Sequence, residues 1–164
     1  LTIPRFLEEE VRRRGGDLAG GIHAVEHAVI GLLPLLAMCD RWDLGGVSYP
    51  MYPDLDAPAI FIYEGHPGGV GSTDTGYALL DEWLAATLRT IETCPCEAGC
   101  PSCIQSPKCG NLNEPLDKRT AVVLLRGLLS RAGRPVASGA AVQQPDLNPP
   151  RTGGRRVSRH RRHR

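Results

Sequence analysis

The stretch TCPCEAGCPSCIQSPKCGN, residues 93–111, carries five of the chain's six cysteines within sixteen positions. Thiols this close together can share a metal ion, pair as disulfides or ligate an iron–sulfur cluster. Their spacing is Cys94-x-Cys96-x3-Cys100-x2-Cys103-x5-Cys109, interrupted by Pro95, Gly99, Pro101, Pro107 and Gly110. Those residues supply the tight turns that convergence on one ion demands. CPSC at 100–103 has the two-residue spacer of a zinc knuckle. Zn(II) takes four thiolates tetrahedrally at about 2.3 Å, with no open position in a structural site. The spacing therefore predicts one structural zinc held by four cysteines. Disulfides would leave one of the five unpaired, and a Cys94–Cys96 bridge would be badly strained. A redox pair at CPSC lacks the strand–turn–helix setting it needs, and the spacing matches neither common ferredoxin run. Two ligand sets stay open: Cys94, Cys96, Cys100 and Cys103, or Cys109 in place of Cys94. Cys39, in an apolar segment, reads as a small buried hydrophobe.

A second pattern, HAVEH at 23–27, fits the inverted zinc-protease motif H-x-x-E-H. His23 and His27 stand one helical turn apart, with Glu26 available as a base. The flanking residues are apolar, as in a packed helix, and no downstream carboxylate ligand stands out. The histidines are thus expected to hydrogen-bond within or beside the core, with a metalloprotease as the competing reading. HPGGVGST at 66–73 puts glycines before a helix start, where backbone N–H groups could receive a phosphate. It lacks the lysine of a nucleotide phosphate loop, and no acidic magnesium box accompanies it. The chain cannot hydrolyse ATP by that route, and no catalytic activity is expected of it alone. HPGG and the aspartates of DLGG and DLDAP read as turn formers.

The elements that must position these residues are visible in the periodicity. Residues 1–17 read as an incoming helix or linker. GIHAVEHAVIGLLPLLAMCDRW is helical, with Ile22, Val25, Val29, Leu32 and Leu36 on one face and Pro34 expected to kink or divide it. Gly-Gly and three prolines break up the segment that follows. APAIFIYE at 57–64 is the strongest strand, its continuous apolar run suggesting cover on both faces. Ser72 or Thr73 should cap a helix running to about Thr93, with Tyr77, Leu80, Leu84, Leu88 and Ile91 along its stripe and Trp83 beside it. After the cysteines, a last helix is expected from Asn113 or Glu114, burying Ala121, Val122, Leu125, Leu128 and Leu129. The predicted fold class is α+β: a small, mostly helical domain with one to three short strands and a four-cysteine zinc clamp.

Charge divides the chain. Residues 1–130 hold ten basic and 17 acidic residues, net −7, whereas residues 131–164 hold nine arginines and one aspartate, net +8. The Arg-rich tail, ending RRVSRHRRHR, has the composition of a disordered segment. Its Arg155, Arg156, Arg159, Arg161 and Arg162 could contact nucleic-acid phosphates; a stand-alone nucleic-acid-binding module is a further alternative. The longest unbroken apolar run, AVIGLLPLLAMC at 28–39, is shorter than the roughly 20 residues of a membrane helix, so no membrane partner is expected. Clustered cysteines without a secretory leader favour metal ligation in a reducing, cytoplasmic setting.

GIHAVEHAVIGLLPLLAMCDRWDLGGVS, PAIFIYEGHPGGVG and CPCEAGCPSCIQSPKCGNLNEPLDK, in that order, resemble the C-terminal zinc-binding domain of MrfA-type DEAD/DEAH-box helicases. The resemblance covers residues 18–130. It implies an accessory domain of a superfamily-two DNA-repair helicase, with zinc on Cys94, Cys96, Cys100 and Cys103. It also implies helicase motor domains, in cis or in trans, and single-stranded DNA as partners, and a chain that is a fragment of an ATP-dependent DNA helicase. The histidines of HAVEH fall in a structural helix of that family.

Overall fold

Eleven consecutive residues, Gly20 to Ile30, are buried within one helix, α2 (Leu18–Ala37). A helix buried on every side lies at the centre of its domain, and here the other elements are arranged around it. The computed structural model describes residues 1–131. Its order is α1 (Arg5–Arg13), α2, β1 (Leu44–Tyr52), β2 (Ala57–Glu64), α3 (Ser72–Ala78), α4 (Leu80–Thr93) and α5 (Lys118–Arg131). The α+β class is as expected. The tail with its five candidate arginines lies outside the described residues.

Ile22, Val25, Val29 and Leu33 of α2 are fully buried, each worth about 1.5–3 kcal/mol. Leu32 and Leu36 sit only at the core's margin. Pro34 does not divide the helix. It lies in the last turn, and the helix closes one residue beyond Ala37, where Met38 turns left-handed and its N–H reaches the Pro34 carbonyl. Cys39 consequently follows the helix and is only half-buried. By length and composition α2 could cross a membrane, because its glycines and alanines extend the apolar run. Two thirds of that stretch is covered by the rest of the domain.

The sheet has two antiparallel strands, pairing Leu44 with Glu64 and Val47 with Phe61. β2 has the expected bounds. β1, LGGVSYPMY, was hidden by its glycines and proline, residues poor in strands. Pro50 is tolerated because a register shift falls between Tyr49 and Tyr52, where no ladder donor is needed. Gly45 and Gly46, expected to break up this segment, lie in this strand. Three successive β2 residues, Pro58, Ala59 and Ile60, are buried because residues 1–3 run along them. Ile3 donates to the Pro58 carbonyl and Ile60 to that of Leu1. Ile3, Leu7 and Val11 thereby enter the same core as α2.

The expected helix over 72–93 is interrupted at Leu79, which separates α3 from α4. The interruption resets the helical phase and leaves Tyr77 80% exposed. It also turns the Trp83 indole inward, where its N–H donates to the Val29 carbonyl at 2.9 Å. Neither Ser72 nor Thr73 caps α3. The Glu64 carboxylate accepts from the Val70 and Thr73 N–H groups instead, and these bonds hold its carboxyl below the usual range. Two donors at the glycine loop are thus already taken by the protein's own anion, which argues against the phosphate reading.

α5 begins at Lys118, later than expected. Asp117 accepts from the Thr120 N–H at 3.0 Å, the geometry of a helix N-cap. Ala121, Leu124 and Leu125 are buried against α2. Gly21 permits this approach: a side chain there would strike Thr120 and meet Leu124 Cδ1 at 3.3 Å.

Candidate metal centre

The cysteine loop leaves α4 at Cys94 and rejoins helix at Lys118. Ile104 is its main apolar anchor and is fully buried in the core. Gly99 sits at φ +120°, and a Cβ there would come within 2.5–2.6 Å of Ile104. Glycine is therefore required both by conformation and by space. At Cys100 the chain folds back on itself. The N–H groups of Cys103, Ile104 and Gln105 all converge on the Cys100 carbonyl at 3.0–3.1 Å, and the Cys100 N–H points at Cys103 Sγ at 3.3 Å.

This folding brings four sulfurs together. Cys94 lies 3.6 Å from Cys96 and 3.5 Å from Cys100; Cys103 lies 3.4 Å from Cys96 and 3.8 Å from Cys100. All four sulfurs fall within 4.8 Å of one another. A tetrahedron with metal–sulfur bonds of about 2.3 Å has edges of about 3.8 Å, so the sulfurs outline the corners of a zinc site. They are also much farther apart than the roughly 2.05 Å of a disulfide. The donor set, all thiolate with no position left over, fits a structural zinc ion.

The electrostatics of the cluster agree. Burial works against ionisation of Cys96, but hydrogen bonds from Cys103, Lys118, Cys94 and Cys100 outweigh it and lower the thiol to about 6. Burial pushes Cys103 up to about 12. Four thiols in contact cannot all ionise unaided, and a dication supplies the charge that lets them. Lys118 already supplies part of it. Its ammonium donates to the carbonyls of Cys94 at 2.7 Å and Cys96 at 2.6 Å, and to Cys96 Sγ at 3.3 Å. Periodicity gave no indication of this role. The clue was rarity: Lys118 is one of only two lysines. The other, Lys108, donates to the carbonyls of Arg41, Trp42 and Leu44 and lies 5.4 Å from the Trp42 ring centroid. Lys108 fastens the loop to residues 41–44, and Lys118 fastens it to the start of α5.

Cys109 is not with the four. Its sulfur sits 3.4 Å from His23 Nε2, and His23, His27 and Cys109 form a separate convergent group. The HAVEH residues are buried, and both histidines hydrogen-bond to backbone carbonyls, His23 to Pro115 and His27 to Ile104. Burial pushes His27 down to about 4, against the pull of the Ile104 carbonyl, so the ring is neutral at neutral pH. Glu26 is not in the convergent group. The protease reading has no support here. The leftover fifth cysteine and the one-turn histidine spacing were the sequence signals for this grouping.

Comparison with known proteins places the chain in context. The model of the MrfA Zn-binding domain matches residues 25–104. An uncharacterised protein of Methanocaldococcus jannaschii is 39% identical over 112 residues, 66% of this chain and all of that one. An uncharacterised ATP-dependent helicase of Bacillus subtilis, YprA, is 36% identical over 87 residues, which are 53% of this chain and 11% of the helicase. In the crystal structure of the DUF1998 helicase MrfA bound to DNA, the match covers 77% of this chain and 15% of that one, with a TM-score of 0.53 and 28% identity.

Proposed function

The chain belongs to the MrfA zinc-binding domain family, and from that premise we propose that it serves as the zinc-braced accessory domain of a DNA-repair helicase. In this reading Cys94, Cys96, Cys100 and Cys103 hold one Zn(II). The ion fixes the end of α4 against the start of α5, and the braced surface docks on helicase motor domains and helps guide single-stranded DNA. The observation that carries the reading is the tetrahedral outline of the four sulfurs. Zinc there acts through shape: with four thiolates bound it has no position for substrate.

The chain spans the whole of its archaeal relative but only 11–15% of the helicases it resembles. Motor activity and DNA engagement are therefore assigned to the assembly. The described body is acidic, which favours docking over primary DNA binding, and reduced thiols suit the cytoplasm.

A chimaera tests the reading. The corresponding segment of the Bacillus helicase is replaced by this chain, and unwinding of a tailed duplex is measured. Unwinding that persists in the chimaera and is lost on Cys103→Ser supports the accessory role. Undiminished unwinding after all four cysteines are changed to serine rejects it.

A further inference from the structure

Apart from the four-sulfur cluster, two buried histidines and the half-buried Cys109 converge with nothing in the proposed function to explain them. His23 Nδ1 lies 2.9 Å from the Pro115 carbonyl oxygen, and His27 Nδ1 lies 2.9 Å from that of Ile104. A carbonyl oxygen only accepts, so each ring carries a proton on Nδ1, and in the neutral form the lone pair is at Nε2. His23 Nε2 faces Cys109 Sγ at 3.4 Å, and the ligand atoms of His23, His27 and Cys109 all lie within 4.8 Å of one another. One thiol hydrogen can satisfy one of these lone pairs but not both. A cation bound between them satisfies both nitrogens and the sulfur together.

We propose that His23, His27 and Cys109 form a second metal site, a two-histidine, one-cysteine centre for Zn(II) with its fourth position open to a cavity. With Zn–N of about 2.0–2.1 Å and Zn–S of about 2.3 Å, tetrahedral ligation puts nitrogen and sulfur about 3.6 Å apart, close to the 3.4 Å observed. The histidines stand at i and i+4 on a rigid, buried helix, the spacing that lets two imidazoles share one ion.

The surrounding groups are those that orient metal ligands. Each histidine is held by a carbonyl on its far nitrogen, which fixes both tautomer and ring plane. The Asn113 N–H donates to Cys109 Sγ at 3.3 Å, as a backbone amide does to a bound thiolate. Two successive left-handed residues, Leu112 at φ 55° and Asn113 at φ 63°, bring that N–H into line. Leucine tolerates this conformation poorly, and strain of this kind gathers at functional sites. The Asn113 side chain adds a bond from the Ser106 N–H at 2.7 Å.

The site borders a cavity of about 500 Å³ lined also by Glu26, Ser48 and Lys108. A cavity of this size with polar groups on its wall can hold water, the ordinary fourth ligand of an open zinc site. The family match covers 25–104 and so includes neither His23 nor Cys109. The site does not rest on the helicase reading.

Cadmium-113 NMR of the full chain tests it, because all-sulfur and mixed nitrogen–sulfur sites resonate in well-separated ranges. Two resonances are expected, one in the four-thiolate range and one upfield. Cys109→Ser should remove the upfield signal alone, and zinc content should fall from two per chain to one. The surviving four-thiolate resonance reports that the variant is folded. If Cys109→Ser does not fold, His23→Gln and the wild-type spectrum decide. A wild-type spectrum with no upfield resonance overturns the proposal, as does an upfield resonance that Cys109→Ser leaves unchanged. Absence of the four-thiolate signal from the wild-type spectrum would instead overturn the first site and leave this one standing.

Discussion

The α2 core and the cysteine loop are ordered by opposite means. Within α2, Ile22, Val25, Val29 and Leu33 are enclosed by four helices and a sheet, and burial alone accounts for their order. The loop from Cys94 to Asp117 has one fully buried aliphatic side chain, Ile104. Its remaining order comes from four converging sulfurs, from loop hydrogen bonds such as those to the Cys100 carbonyl, and from two lysine ammonium groups bonded to backbone carbonyls. Apolar burial is spread over many residues and degrades gradually. Ionic ordering is concentrated in a few atoms and fails at once.

Zinc removal should separate the two regions most sharply. Chelation or Cys103→Ser forfeits binding on the order of 10 kcal/mol or more. Amide exchange over 94–113 should become unprotected while α2 amides stay slow. Equal loss in both regions would break the contrast. Next, Leu124→Ala cuts a fully buried contact between α5 and α2 and should cost about 2–5 kcal/mol in urea unfolding. Its metal content should not change. Lys118→Gln should weaken zinc about 10–100-fold in chelator competition, as loss of an outer-shell partner does, with helix content preserved. The smallest effect is expected from Asp117→Ala, which removes the α5 cap for about 0.5–2 kcal/mol. A larger cost would mean that the loop and the core are coupled through that residue.

The same contrast explains what could be read from sequence. Burial leaves a period, so α2, the face carrying Leu84 and Ile91, and all of β2 were legible. The four thiols were legible because cysteine is rare and its spacing is chemical. What escaped depended on partners distant in sequence. β1 forms despite Gly45, Gly46 and Pro50 because β2 supplies its pairing. The α3 start is satisfied by Glu64, on a strand before the glycine loop. The α5 start waits for Asp117, whose neighbour Gly20 lies almost a hundred residues earlier. Cys109 was placed by the histidines it meets and not by the cysteines it follows.

The chain contains two tryptophans, and they fall on the two sides of this divide. Trp83 is 4% exposed, its indole tied to Val29 in the core; Trp42 is 68% exposed beneath the ammonium that anchors the loop. The first should emit in the blue and resist aqueous quenchers, the second in the red and yield to them. One fluorescence spectrum therefore carries two independent channels. Metal extraction should alter the red channel first, and the blue one only when the whole domain melts.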